Sequence, residues 1–151
     1  MQDLPQSTSK TCVEELCAQG YRVSDWIIDI VNQPNFDDGS SFVPSKLIRL
    51  STKHLGFHDP AELQEIYRKI IDFDLALVPP LTALSIRFIY PEQKTGEWLR
   101  IATPMNSMID SDGVPHLPKL GRALGKYYLE TYWSYAHAIF HPHNEFVVIE
   151  P

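Results

Sequence analysis

The densest set of side chains able to do chemistry is His137-Ala-Ile-Phe-His141-Pro-His143, followed closely by Glu145. A zinc site needs three or four imidazole, thiolate or carboxylate ligands converging on one point. Residues two apart on an extended chain share a face, so His141 and His143 form a pair if this stretch is extended. His137 and His141 are four apart and share a face only on a helix, which Pro142 would end. The bland alternative is a solvated turn entering the next strand. No HExxH signature accompanies the cluster. Zinc is therefore the cofactor of one reading, a small metal-dependent enzyme, and no cofactor is expected in the others.

A second lead is acidic. Asp110 and Asp112, with Glu97, could form a general acid/base pair or a divalent-cation site. The same Asp110-Ser-Asp-Gly113 run is ordinary turn chemistry. No activated nucleophile accompanies either lead. Ser111 is not in a G-x-S-x-G elbow, and Gly121 and Gly125 lack the context of a phosphate-binding loop.

The third lead is aromatic. Tyr127, Tyr128, Tyr132, Trp133 and Tyr135 crowd one short stretch, with Trp98 a further candidate. So many large rings on one strand cannot all be core. Tyr and Trp anchor protein interfaces because they offer large contact area at low entropy cost. The binding surface expected from the sequence is Tyr128, Tyr132, Trp133, Tyr135 and Trp98.

Elements must position these groups. A flexible tail is expected over residues 1–9. Thr11 with Glu14 reads as a capping box opening a first helix, which Gly20 can close. Cys12 and Cys17, five apart on that helix, do not share a face, so free, buried or half-buried thiols are expected. Ser24 caps a second helix whose apolar stripe is Trp26, Ile27, Ile30 and Val31. Asn35 to Ser41 is a loop by composition, and Lys46 to Leu50 is a short strand or helix start. Asp59 and Pro60 open the clearest helix, with Leu63, Ile66, Tyr67, Ile70 and Ile71 on one face. Leu75 to Pro80 reads as a proline-stiffened connector.

The two β-prone runs Leu84–Tyr90 and Glu97–Thr103 flank a Pro- and Gly-containing turn, the pattern of a hairpin. Leu84, Ile86, Phe88 and Tyr90 would then share one face, and the helix after Asp59 would cover it. Leu117–Gly125 is ambiguous. Lys126–Trp133 alternates as a strand, with Tyr128, Glu130 and Tyr132 on one side and Tyr127, Leu129, Thr131 and Trp133 on the other. Phe146-Val-Val-Ile149 shows no alternation and is expected as a strand buried on both faces. The expected fold class is α+β, with N-terminal helices packed on one face of a mainly antiparallel C-terminal sheet, and residues 10–151 forming one domain.

The stretch Leu84-Ser-Ile-Arg87 through Tyr90 and Gln93, then Gly96-Glu97-Trp98-Leu99-Arg100-Ile101-Ala102, Pro104 and Asp110-Ser111-Asp112-Gly113, resembles a pattern in uncharacterised bacterial open reading frames. The late Phe146-Val147-Val148 is similar too. The resemblance spans about half the chain and implies a compact bacterial domain, with no activity attached.

Composition narrows the function classes. The chain of 151 residues is 44% hydrophobic, which suits a folded globule. A net charge of −6 with thirteen scattered Lys and Arg weighs against nucleic acid and favours a basic protein partner. No apolar run approaches the ~20 residues of a membrane span, and the N-terminus lacks the pattern of a secretory signal, so a cytoplasmic location is expected. The leading expectation is a protein-binding domain of inhibitor, immunity or adaptor type. Its rivals are the metal-dependent enzyme and a structural subunit of a homo-oligomer.

Overall fold

A computed structural model describes residues 8–39 and 46–151. The chain opens with helix α1 (Ser9–Ala18), a two-residue strand β1 (Arg22–Val23) and helix α2 (Asp25–Val31). The Thr8 and Thr11 side chains cap α1 reciprocally, three residues ahead of the expected Thr11–Glu14 box. The tail expected over residues 1–9 lies outside the described residues as far as residue 7; Thr8 and Ser9 belong to the helix start. Ser24 caps α2 as expected, accepting from the Trp26 N–H at 3.1 Å. Both cysteines are free, Cys12 buried as expected and Cys17 exposed rather than buried or half-buried.

Strand β2 (Leu47–Ser51) follows, then a turn of 3-10 helix (Lys53–Leu55), the short strand β3 (Ala61–Glu62) and helix α3 (Leu63–Asp72). The helix after Asp59 thus starts later than its Asp-Pro pair suggests. Residues 61–62 are drawn into pairing with Ile139–Phe140, and Glu62 with Glu65 forms the capping box instead. Leu63, Ile66, Tyr67 and Ile70 are buried on the apolar stripe, whereas Ile71 is exposed. The Tyr67 hydroxyl donates to the Thr103 carbonyl.

The main departure from expectation is the proposed first hairpin strand. Pro80–Ile89 is helix α4, with Pro80 in its first turn and Pro79 as its cap. The residues it buries include Pro80, Ala83, Leu84 and Arg87, a three-and-four spacing. A ten-residue apolar run carries little period information of its own, and here the preceding proline pair starts a helix rather than stiffening a connector. The second half of the supposed hairpin is a strand, β4 (Trp98–Ile101), but its neighbours are β5 (His116–Ala123) and β8 (Glu145–Ile149).

With β6 (Lys126–Trp133), these strands form a six-stranded sheet in the order β1-β6-β5-β4-β8-β2. Three of its neighbour pairs are antiparallel; β1–β6 and β4–β8 are parallel. The short β3 and β7 (Ile139–Phe140) pair separately. The fold is α+β, with a mostly antiparallel sheet. Alternate residues feed two cores. Leu99, Ile101, Leu120, Leu129, Val147 and Ile149 pack with α1, α2 and α4. Leu50, Leu117, Phe146 and Val148 pack with α3 and Phe140. This accounts for the unbroken apolar run of β8: both its faces are core. β8 lies between β4 and β2, inside the sheet as expected.

Residues carrying the sequence pattern noted above act largely as one buried network. The Arg87 guanidinium donates to the carbonyls of Gly121 and Tyr128 (3.1 Å each) and Tyr90 (3.0 Å), tying α4 to the β5–β6 hairpin. Its Cζ lies 5.0 Å from the Tyr127 ring centroid. Gln93 donates to the carbonyls of Glu97 and Leu120, and Gly96 N–H to that of Arg122.

Candidate functional site

The register of the central strands places an aromatic and cationic surface on one sheet face. Trp98 lies opposite Gly121 and Arg100 opposite Lys119. Across the next ladder, Gly121 faces Tyr128, Lys119 faces Glu130, and Leu117 faces Tyr132. At one end this face is closed by Phe140 and Phe146, whose ring centroids are 5.0 Å apart. Towards Trp98 the side chains of Arg100, Lys119, Tyr128, Glu130 and Tyr132 are half-buried. The Trp98 indole sits over Gly121, where a Cβ would come within 2.1 Å of Cζ3. Lys119 Nζ is 4.9 Å from the Trp98 ring centroid and 5.7 Å from that of Tyr132. Arg100 Cζ is 5.5 Å from Tyr132 and 5.7 Å from Phe140. Burial pushes the pKa of both cations down, that of Lys119 also through its neighbour Arg100, with Glu130 opposing. Among the described residues, neither cation is within ion-pair distance of a carboxylate.

The aromatic surface continues around the end of β6. Trp133 is 58% exposed, and Tyr135 and Trp26 are each 48% exposed. By alternation Trp133 belongs to the opposite face, opposite His116, yet its ring lies 6.2 Å from that of Tyr132. Trp26 stacks on His116 at 5.5 Å. The five expected surface residues therefore fall into a tray (Trp98, Tyr128, Tyr132) and an exposed rim (Trp133, Tyr135). Trp26 belongs to the rim and not to the core stripe expected of it; Ile27, Ile30 and Val31 fill that stripe without it. β1 pairs only with Tyr128 and Leu129, so beyond Leu129 the outer edge of β6 has no strand beside it among the described residues.

Under this rim lies a buried polar chain that the sequence reading missed. Asp110 Oδ2 is 2.8 Å from His116 Nε2, and His116 Nδ1 is 3.1 Å from Thr131 Oγ1. Asp110 and His116 are 4% and 3% exposed. Asp110 Oδ1 also accepts from the N–H groups of Asp112 (2.8 Å) and Val114 (3.0 Å), closing the turn. Asp29 Oδ2 holds the turn from α2 by accepting from Ser111 N–H at 2.7 Å. An acid six residues before a histidine across an Asp-x-Asp-Gly turn was the available signal, but their meeting depends on the turn's register.

Burial alone would raise the Asp110 pKa; its bonds from His116 and from the Val114 and Asp112 N–H groups outweigh that and lower it. A carboxyl whose pKa is depressed on folding contributes stability above its unfolded value, about 3.9, and loses it as pH falls through the folded value. The stability advantage of wild type over Asp110→Asn is thus expected to be level above about pH 5 and to shrink below about pH 4. Urea melts across this range check it; an advantage that grows on acidification would refute the assignment.

The other expected sites are dispersed. His137 Nδ1 lies 3.1 Å from Glu62 Oε1, while His141 and His143 stack on each other with ring centroids 5.9 Å apart. No helix ends at His141; the preceding residues form β7. Glu97 does not join Asp110 and Asp112. It shares Arg49 with Glu145, at 2.6 and 2.7 Å, and Arg49 also donates to the Tyr90 hydroxyl. The hydrogen bond from Arg49 is the main reason the Glu145 carboxyl lies below its ordinary pKa. Among the described residues, no group of three or more His, Cys, Asp and Glu side chains is arranged to hold a metal ion, and no helix is long and apolar enough to cross a membrane.

Fold and site together define an α+β domain with an aromatic tray and rim at one end of its sheet. No protein-family model matches the chain, and no curated protein or solved structure matches it.

Proposed function

We propose that this domain works by binding another protein through the tray and rim, as an inhibitor, immunity protein or adaptor does. The observation that carries the reading is the rim: Trp26, Trp133 and Tyr135 are about half exposed, next to the half-buried ring of Tyr132, from which the tray runs on to Trp98. Exposing this much aromatic surface forgoes burial energy, and such surface is characteristic of interface anchors. The free outer edge of β6 adds main-chain donors and acceptors beside the rim.

The double variant Trp133→Ala/Tyr135→Ala tests it. Both side chains are exposed, so the melting temperature should move by only a few degrees. Capture of the partner from source-cell extract on immobilised protein should fall by about tenfold or more. Unchanged capture would remove the rim from the interface. If native mass spectrometry instead finds a dimer that this variant dissociates, the rim's partner is a second copy of the chain.

A further inference from the structure

The net charge of −6 points to a basic partner, but the tray carries the opposite local charge. On its face the half-buried charged groups are Arg100, Lys119 and, across from Lys119, Glu130; Arg22 and Lys126, beside Tyr128 and exposed, add two further positive charges. We infer that the tray receives an acidic segment of the partner, with a carboxylate on Arg100 and Lys119 and an apolar or aromatic neighbour on Trp98 and Tyr132. This rests on the protein-binding reading above and names the partner's chemistry.

The argument is one of unmet electrostatics. Arg100 and Lys119 are cross-strand neighbours, so two like charges sit directly opposite each other, which by itself destabilises a sheet. Both are half-buried against aromatic faces, and the one carboxylate facing them from the register, Glu130 opposite Lys119, is not within ion-pair distance. Among the described residues Arg100 Nε is buried without an acceptor, as are Arg87 Nε and Arg122 Nε. Contrast Arg49, an arginine of the same sheet, which is saturated by Glu97 and Glu145. An incoming carboxylate relieves the repulsion and meets donors held in place by the rings. The guanidinium fork favours a planar carboxylate, and the partial desolvation already present strengthens the pairing. Trp98, fixed by Gly121, supplies a wall for an adjoining apolar side chain.

The test is selection from a random-sequence peptide display library on the purified protein. The expected result is a pool enriched in Asp and Glu next to aromatic or aliphatic residues. Its binding should weaken about tenfold on Lys119→Gln and further on Arg100→Gln/Lys119→Gln. Arg100 stacks on Phe140, so the double variant could unfold. Lys119→Gln alone, and salt titration of the unaltered protein, keep the test decisive: raising NaCl from about 0.05 to about 0.5 M should also weaken binding. Recovery of neutral or basic peptides that are lost on Trp133→Ala/Tyr135→Ala would overturn the acidic inference and leave the protein-binding reading standing. Acidic peptides that bind Lys119→Gln unchanged would also overturn it. Recovery of no peptide at all would count against both.

Discussion

Arg87→Met should cost roughly 3–5 kcal/mol of stability, although methionine nearly fills the space. Arg87 is wholly buried, and its guanidinium supplies donors to three carbonyls, those of Gly121, Tyr128 and Tyr90. Among the described residues no carboxylate pairs with it; carbonyl dipoles and the Tyr127 ring balance it instead. Removing the cation leaves three acceptors, one buried and two part-buried, each costing about 1–3 kcal/mol if nothing replaces the bond, with the sum reduced by relaxation and by water at the part-buried pair. Arg87→Lys should recover only part of the loss, since one ammonium cannot span three carbonyls in the guanidinium's plane. Denaturant melts of the three proteins measure this directly. A loss under about 1 kcal/mol for Arg87→Met would mean that water enters and the network is not a structural pin.

Gly121→Ala should displace Trp98. The added methyl would sit 2.1, 2.3 and 2.4 Å from three indole carbons. No rotation of the methyl relieves that, so the ring must leave or the strands must part. Overpacking of this kind costs about 1–3 kcal/mol. The change also removes the wall of the tray, the contact to Lys119 and the 6.1 Å approach to Tyr128. The expected signature is a large shift of the Trp98 indole N–H resonance with those of Trp26 and Trp133 unmoved. The cleanest check is a cycle with Trp98→Ala, in which Gly121→Ala should cost much less because the three atoms nearest the added methyl are gone. Equal cost in both backgrounds would place the strain in the backbone of β5 instead.

Much of this fold is legible from residue order alone, and the particular successes and failures share a cause. The alternation in Lys126–Trp133 and the unbroken Phe146–Ile149 run are local signals, and both strands form as read. The stripe from Leu63 to Ile70 is likewise local. α4 was misread because Pro80–Ile89 is apolar nearly all round, so both periods fit, and tertiary context decides between them. Among the site residues, Tyr128 and Tyr132 follow from alternation, while Trp98 joins them only through the β4–β5–β6 register. His116 could not be placed without knowing that the Asp110 turn folds back on it. Trp26, half exposed and stacked on His116, sits apart from the Ile27, Ile30 and Val31 stripe, a fact no helical periodicity contains.

The position of β8 has a kinetic consequence. β4 and β2 both need it as their neighbour, and β2, at one edge of the sheet, pairs with no other strand among the described residues. During synthesis, β2 therefore leaves the ribosome almost a hundred residues before the strand it pairs with. Until Glu145–Ile149 arrives, one lateral edge of β4 stays open and α3 lacks Phe146 and Val148 from its core. A sheet closed by such a distant segment folds slowly relative to one made of successive hairpins. The nascent chain meanwhile carries two unpaired edges, which makes it a natural client for chaperones that shield exposed strands.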